Sequence, residues 1–359
     1  MGESKYSFDD SRCDCVQAKK SLKRGDAKHI AMKPIGIAGT GSHVAQKVMT
    51  NKDWLKYVET SDEWIYTKTG IRERRIAEPD VATSDLAVEA AKKAMVDAKV
   101  KVEDVDLIVL ATSSPDVPLS ATACIVQHKL GAKNAAALDI NNVCSGFIYS
   151  LDVGWKMAAA DSYRNVLVIG AETYSRILNW KDRTTCVYFG DGAGAVLLKE
   201  CKQGSGLLAS SLYADGSGHK VIEIPAGGTR MPTTHETFDK GLNYFFMDGK
   251  AVWDFAIVKF PEAVRDVVAK AGYKLEDVDV VIPHQSNVNI IKKSMEVLGL
   301  PMEKAYVHIH KYGNMAGASV PIALDEAVKE GKVKKGDLVI TCGYGGGLAW
   351  GANAIRWSV

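Results

Sequence analysis

Three polar side chains in this sequence stand where an acyl-transfer site would need them. Cys144 lies in "DINNVCSGF", between a short apolar run ending in two asparagines and a long apolar stretch. With Asn142 as a good N-cap residue, Cys144 is expected to open a helix. There the macrodipole supplies roughly half a positive charge and favours thiolate over thiol. His284 follows a strand-like run in "VVIPHQSN", where the proline ends the strand and exposes the next side chains. Asn314 stands between two turn signals in "HKYGNMAGAS", at the entrance to a helix. A thiolate nucleophile with an imidazole and a carboxamide beside it is a set for covalent acyl chemistry. Singly, each has a plainer role: a small buried hydrophobe, a loop histidine, a turn-forming asparagine. Three consecutive glycines, Gly345 to Gly347 in "TCGYGGGLAWGANAIRW", let backbone approach a ligand, so their N–H groups could join that of Cys144 around an oxyanion. "FGDGAGAVLL" (189–198) looks like a dinucleotide loop, but a strand-like run follows it instead of a helix. That reading is rejected.

The elements that must position these residues come in two similar sets. "AAKKAMVDAKVKVEDVDLIVLATSS" (90–114) reads as an amphipathic helix, a polar turn and a buried strand, and "EAVRDVVAKAGYKLEDVDVVIPHQS" (262–286) repeats that order. Val105 and Val278 are the matching valines of the two copies. Strands alternating with helices imply right-handed crossovers and mostly parallel sheets. Two copies suggest halves related by a pseudo-twofold, 32–205 with the thiol and 206–359 with the histidine and asparagine. The stretch after Cys144 is apolar nearly all round (Phe147, Ile148, Leu151, Val153, Trp155, Met157), so it is expected to lie between the sheets. The repeat pairs the Cys144 junction with the Asn314 region, and His284 with the Ser113 region. All fall at carboxyl ends of strands, where open α/β sheets place ligands.

Composition narrows the classes. At 359 residues the chain can bury a large core, and 47% hydrophobic with 25% charged residues excludes a disordered chain. A net charge of +2 without a basic stripe argues against nucleic acid. No apolar run reaches the ~18 residues of a membrane span, and the N-terminus lacks a signal-peptide pattern. Seven scattered cysteines fit free thiols in a reducing cytoplasm. Residues 1–31 are charged and aperiodic and are expected to be a flexible extension. Their Cys13-x-Cys15 pair is too sparse a ligand set for a metal site.

"TSDEWIYTKTGIRERRIA", the Cys144 junction, "DRTTCVYFGDGAGAV", "PHQSN", "YGNMAGASVPIALDEAV" and "GGGLAWG" together resemble the β-ketoacyl-acyl carrier protein synthase III group of thiolase-like condensing enzymes. The resemblance runs from about Met32 to Val359. It implies a duplicated α-β-α-β-α sandwich with buried central helices. It also implies decarboxylating condensation of an acyl-CoA starter with malonyl-acyl carrier protein, with coenzyme A thioester as substrate and no cofactor or metal. By matching motif, Cys144 would be acylated, and His284 and Asn314 would hold the malonyl thioester carbonyl. Backbone N–H groups of Cys144 and Gly346 would form the oxyanion hole. Trp64, Lys68, Arg183 and Asn287 would bind coenzyme A, with Trp64 and Arg183 flanking the adenine and Trp64 on a helix opened by a Thr60–Glu63 capping box. Arg72, Arg74 and Arg75 would add positive charge near the phosphates. Asn142, Leu119, Tyr344 and Met247 would line the acyl pocket, with Leu119 reaching from a partner subunit in a homodimer. Lys250, Lys292 and Lys293 would dock the acidic carrier protein.

This chain departs from the family pattern at several places. Asn141, Asn142 and Val143 precede the cysteine where alanines are common, Tyr344 replaces a phenylalanine, and Asn289 stands where an arginine is often found. One alternative is therefore a related ketosynthase of a specialised pathway whose polar, dicarboxylic or longer starter meets Asn142 or Tyr344. A second is a non-decarboxylating thiolase with Cys342 as base, and a third is a catalytically silent homologue.

Overall fold

The structure is a computed structural model and describes residues 32–359; the expected extension at 1–31 and its Cys13-x-Cys15 pair lie outside the described residues. Met32–Val359 form one compact unit. Chain order begins with β1 (Ile35–Val44), the short pair β2 (Lys47–Thr50) and β3 (Glu73–Ile76), and helix α1 (Asp62–Thr69) between them. There follow α2 (Thr83–Asp97), β4 (Leu107–Ala111), α3 (Thr122–Leu130), β5 (Ala136–Ile140), α4 (Gly146–Ala159), β6 (Val166–Thr173) and β7 (Asp191–Glu200). The second series comprises β8 (Gly206–Ala214), β9 (Ile222–Glu223), α5 (His235–Asp239), β10 (Phe246–Met247), α6 (Gly249–Lys270) and β11 (Val280–Pro283). It closes with α7 (Val288–Leu298), α8 (Ile309–Tyr312), α9 (Ser319–Lys329), β12 (Leu338–Gly345) and β13 (Ala349–Arg356).

Two large sheets result, with orders β1-β7-β6-β4-β5 and β11-β12-β13-β8, beside the two-stranded pairs β2-β3 and β9-β10. Strands buried on both faces read as continuous apolar runs, as "LIVLA" in β4 and "VLVIGA" in β6 do. The repeat read from sequence extends to hydrogen-bond register: Leu107 of β4 pairs in parallel with Val166 of β6, and Val280 of β11 with Val339 of β12. Each partner in the second pair stands as far along the chain from its counterpart as Val278 does from Val105.

Helices α4 and α9 occupy the middle layer. Their apolar side chains, Phe147, Ile148 and Leu151 from α4 and Val320, Ala323 and Leu324 from α9, share one core with Leu107 and Val109 of the first sheet and Val280, Ile282 and Val339 of the second. Helix α2 covers the other face of the first sheet through Leu86, Ala87, Ala90, Ala91 and Ala94, a 3.6-residue stripe. It sits so close that a Cβ on Gly41 of β1 would lie 2.4 Å from the Ala90 carbonyl oxygen. This is the layered sandwich expected from the sequence.

The central helix α9 is tied to the first sheet by a buried carboxylate. Thr40 Oγ1 donates to Asp325 Oδ1 (2.7 Å), Ser42 Oγ donates to Oδ2 (2.5 Å), and Lys329 Nζ lies 2.7 Å from Oδ2. Replacing Asp325 by Ala leaves the buried Thr40 hydroxyl without its acceptor and removes the partner of half-buried Ser42, a cost of about 1–3 kcal/mol. Urea denaturation should therefore show a lowered midpoint for Asp325→Ala; an unchanged midpoint would remove this tie from the account of the fold.

Candidate active site

Two matching turns carry the site. A 3-10 turn at Val143–Ser145 leads into α4, and another at Ala316–Ala318 leads into α9. Each begins on a non-glycine residue in the left-handed region, Val143 (φ 46°) and Ala316 (φ 41°), and these two are counterparts in the repeat. Such backbone costs of order 1–3 kcal/mol and persists where surrounding structure over-determines it. It presents Cys144 and the segment after Asn314 to one apolar cluster, which contains Cys144, Ala316, Tyr174, Phe189, Ile222 and Phe245. Met247 packs against the same cluster.

Strand β12 closes the second side. Residues alternate across a strand, and Gly343 and Gly345 face the nucleophile's turn. A Cβ on Gly345 would lie 2.7 Å from Cys144 Cβ and 3.1 Å from its Sγ, so only glycine leaves the thiol its place. One on Gly346 would lie 3.2 Å from Val143 Cγ2. His284 continues β11, whose Val280 and Ile282 face the central core, and its N–H donates to the Cys342 carbonyl (2.8 Å). Asn314 is held by its own backbone, which donates to Tyr188 O (2.8 Å) and accepts from Gly190 N (3.0 Å). Its side-chain Oδ1 accepts from Ala316 N (2.8 Å). With the oxygen occupied, the carboxamide presents its NH2 as donor.

Burial governs the electrostatics. It pushes the Cys144 thiol well up, and nearby Glu172 adds to the rise. The expectation that a helix start favours the thiolate is thus corrected. Asn142 does not cap with its side chain either; Asn142 Nδ2 donates to Ser145 Oγ (3.0 Å). Loss of solvent opposes the partial charge of the helix that begins here and pushes the thiol toward its protonated form. His284 is pushed down to about 3 by burial, so it is neutral, and its Nδ1 is buried without a partner.

The remaining expected residues divide. Arg183 Cζ lies 5.0 Å from the centroid of the Trp64 ring, and Arg183 Nη1 donates to Glu59 O (2.8 Å). Trp64 sits on α1, whose cap is Ser61 accepting from Trp64 N; the expected Thr60–Glu63 box does not form because the cap falls one residue later. Lys68 is exposed nearby. Asn287 caps α7 and donates to Lys68 O (3.0 Å), and Asn289 donates to the same carbonyl (3.1 Å), so both amides join α7 to the end of α1. Arg74 leaves the expected basic cluster: it is buried and donates to Asn51 Oδ1 (2.7 Å).

Tyr344 is corrected too. It alternates with the glycines and packs in the outer core beside Phe260, with its hydroxyl 2.9 Å from Ser286 Oγ. Its ring meets the edge of His284 at 5.3 Å, so it buttresses the imidazole instead of lining the acyl pocket. Cys342 shares that outer face, turned away from Cys144, and burial pushes its thiol up. A thiolase base is therefore not placed at the nucleophile. Leu119 is 91% exposed and lines nothing within its own chain. Lys250 is paired with Asp254 (2.5 Å) and Lys293 with Glu296 (2.8 Å), while Lys292 is exposed.

Sequence reasoning missed Glu172, at the end of "VLVIGAET" in β6. It is fully buried and accepts hydrogen bonds from Ser113 N (3.1 Å), Ser113 Oγ (3.0 Å), Ser114 Oγ (2.5 Å) and Gly317 N (3.3 Å). A charged residue closing an apolar strand was the available signal.

Comparison with known proteins agrees across the described residues. The family described as 3-oxoacyl-[acyl-carrier-protein] synthase III matches residues 138–216, and its C-terminal counterpart matches 268–357. A β-ketoacyl-[acyl-carrier-protein] synthase III of Caldanaerobacter subterraneus subsp. tengcongensis is 53% identical over 323 residues, covering 90% of this chain and 98% of that protein. The crystal structure of 3-oxoacyl-[acyl-carrier-protein] synthase III from Aquifex aeolicus VF5 superposes with TM-score 0.83 at 45% identity, over 90% of this chain and 100% of that one. The priming β-ketosynthase of the R1128 polyketide pathway superposes with TM-score 0.84 at 29% identity, over 91% and 97%.

The state of His284 has a stability consequence. The unfolded chain takes up a proton as pH falls through the usual 6.5, whereas folded His284 stays neutral to about 3. Between those values the unfolded state binds more protons, so the residue's contribution is complete above pH 6.5 and is lost as pH falls. His284→Asn should lose less stability between pH 6.5 and 5 than the parent protein in chemical denaturation. Equal slopes would contradict a neutral buried imidazole.

Proposed function

This chain belongs to the 3-oxoacyl-[acyl-carrier-protein] synthase III family, and on that footing we propose how its residues share the reaction. The protein is an acyltransferase that condenses an acyl-CoA starter with malonyl-acyl carrier protein, releasing carbon dioxide and initiating type II fatty acid synthesis. Coenzyme A enters as the carrier of the substrate, not as a cofactor.

In the proposed cycle Cys144 Sγ attacks the starter's carbonyl carbon and the C–S bond to coenzyme A breaks. Backbone N–H groups of Cys144 and Gly346 receive the oxyanion. The malonyl thioester then places its carbonyl oxygen against the His284 ring and the Asn314 NH2. Carbon dioxide departs, its bonding electrons become an enolate held by both donors, and the enolate carbon attacks the acyl-cysteine. One such donor contributes on the order of 3 kcal/mol to the transition state. The observation that carries this reading is the donor character of both groups: Ala316 N–H occupies Asn314 Oδ1, and burial keeps His284 neutral.

Trp64 and Arg183 receive the adenine by stacking and cation–π contact, with Lys68 near the phosphates and Asn287 shaping the wall between α1 and α7. Exposed Lys292, with Lys250 and Lys293 beside their acidic neighbours Asp254 and Glu296, offers positive charge to the acidic carrier. Asn142 and Tyr344 spend their polar groups on Ser145 and Ser286, which favours a short apolar starter over a polar one. Five cysteines among the described residues are free, which supports a reducing cytoplasmic setting, and no helix described is long and apolar enough to cross a membrane.

We also propose a homodimer. Strand β5 ends the first sheet with half-buried Leu138 and Ile140, an edge that invites pairing, and exposed Leu119 would reach the second copy's pocket. Sedimentation equilibrium should give twice the 38.8 kDa chain mass; a monomer at micromolar concentration would refute it.

Incubation with acetyl-CoA should add an acetyl group to the peptide containing Cys144, read by mass spectrometry. Asn314→Ala should slow malonyl decarboxylation by about 10²–10³-fold while leaving Cys144 acylation intact. Equal loss of both steps would mean the carboxamide does not act on the malonyl group.

A further inference from the structure

Glu172 lies beside the nucleophile's turn, across Gly317, with no assigned part in the reaction. Its carboxylate is fully buried, and its hydrogen-bond partners among the described residues are hydroxyls and backbone N–H groups, with no cation. A buried carboxylate without a countercharge is costly, and here it is held only by hydroxyl and backbone donors. Those donors lead somewhere. Ser113 Oγ lies 3.0 Å from Glu172 Oε1 and 2.8 Å from Tyr174 Oη. Tyr174 is buried in the same apolar cluster as Cys144. On the other side Gly317 N, in the turn that packs against the nucleophile's turn, donates to Glu172 (3.3 Å), and a Cβ on Gly317 would lie 3.2 Å from Val143 O.

The cycle poses a proton problem at this place. Acylation consumes a thiol, so a proton must leave Cys144; condensation breaks the acyl C–S bond, leaves the electron pair on Sγ, and demands a proton back. We infer that Glu172 is the proton store for Cys144, taking the thiol proton during acylation and returning it after condensation, with the hydrogen-bonded Tyr174 and Ser113 hydroxyls as the stretch of the path next to the carboxylate. This rests on the reading of Cys144 as the acylated nucleophile. The balance closes. On acylation Glu172 becomes a carboxylic acid and coenzyme A leaves as a thiolate, which solvent protonates. After condensation the acid gives its proton to the Cys144 thiolate and returns to the carboxylate. One proton is thus drawn from solvent per turnover.

The charge states agree with that role. Burial raises Glu172, against the pull of its Ser114 and Ser113 hydrogen bonds, to about 7, where it accepts and releases a proton under working conditions. His284, pushed down to about 3, is a far weaker base. Tyr174 is raised well above its usual value by burial, so it stays protonated and passes a proton only as it receives one. Beyond burial, Cys144 and Tyr174 both feel the charge of the carboxylate, which raises each of them. A cavity of about 440 Å³ lined by Ser113 and Ser114 also brings Asp80, Asp116 and Arg176 to the outer side of the serines.

The test is single-turnover acylation of the full chain by acetyl-CoA, followed by mass spectrometry from pH 5.5 to 9. The parent rate should rise through an inflection near 7. Glu172→Gln keeps size and an acceptor but cannot take the proton; acylation should fall by about 10²–10⁴-fold and the inflection should vanish. Glu172→Asp should restore the inflection, which a merely structural role would not predict. Tyr174→Phe removes one oxygen from the relay; it should slow acylation at least about tenfold with the inflection kept, and it serves as the readout if Glu172→Gln does not fold. A Glu172→Gln profile like the parent's, or a parent-like rate in Tyr174→Phe, would overturn the proton store. No adduct on Cys144 in the parent protein would instead overturn the nucleophile on which it rests.

Discussion

A pocket that buries ionisable groups without a countercharge can carry very little net charge, and the chemistry of this site follows from that restriction. Cys144, His284 and Glu172 are all buried, and burial is the largest influence on each. It drives the thiol toward its protonated form and the imidazole toward its free base, while Glu172, raised only to about 7, keeps both of its forms within reach. Among the described residues no cluster of side chains could hold a metal ion to change this. An enolate arriving in such a place meets preorganised neutral donors, whose dipoles act strongly because water is excluded. A cationic imidazole would attract the enolate more strongly, but desolvating it would cost more than a dipole does.

The scaffold meets that restriction by placing its two central helices between the sheets. Helices α4 and α9 begin at the same level because the halves share register: β4 pairs with β6, and β11 with β12, at equivalent positions of the repeat. Their entrance turns therefore face each other. Val143 and Ala316 accept left-handed backbone there because sheets and helices on both sides leave no alternative path. Without the second half, the turn of Cys144 would open to water, and the thiol would lose the surroundings that set its reactivity.

Much of this was legible from local text. The repeated "EDVD" before β4 and β11 announces the duplication, the apolar run after Cys144 announces a central helix, and "PHQSN" announces a strand end. Local text fails where a property depends on a distant neighbour. The helix start favours a thiolate, yet Gly345 and Ile222, far along the chain, seal the thiol from solvent and reverse that preference. Arg74 reads as one more surface cation in "RERRIA", but β3 turns it inward onto Asn51. Tyr344 was decidable in principle: in "CGYGG" the glycines must face whatever approaches closely, so the tyrosine must face the other way.

The same register explains why the duplicated halves cannot be chemically equal. Glu172 near the end of β6 and Gly345 at the end of β12 are counterparts on equivalent strands. At position 345 any side chain would collide with Cys144, so this half contributes only backbone. At position 172 the space opposite is occupied by Gly317, whose N–H donates to the carboxylate and whose missing side chain makes the approach possible; a Cβ there would lie 3.0 Å from Glu172 Oε1. Each half thus gives up a side chain where the other places its reactive group. Glycine at 345 makes room for the thiol, and glycine at 317 makes room for the acid. Two copies of one fold thereby yield a single asymmetric site, with the nucleophile and its buried carboxyl on one side and the neutral donors His284 and Asn314 on the other.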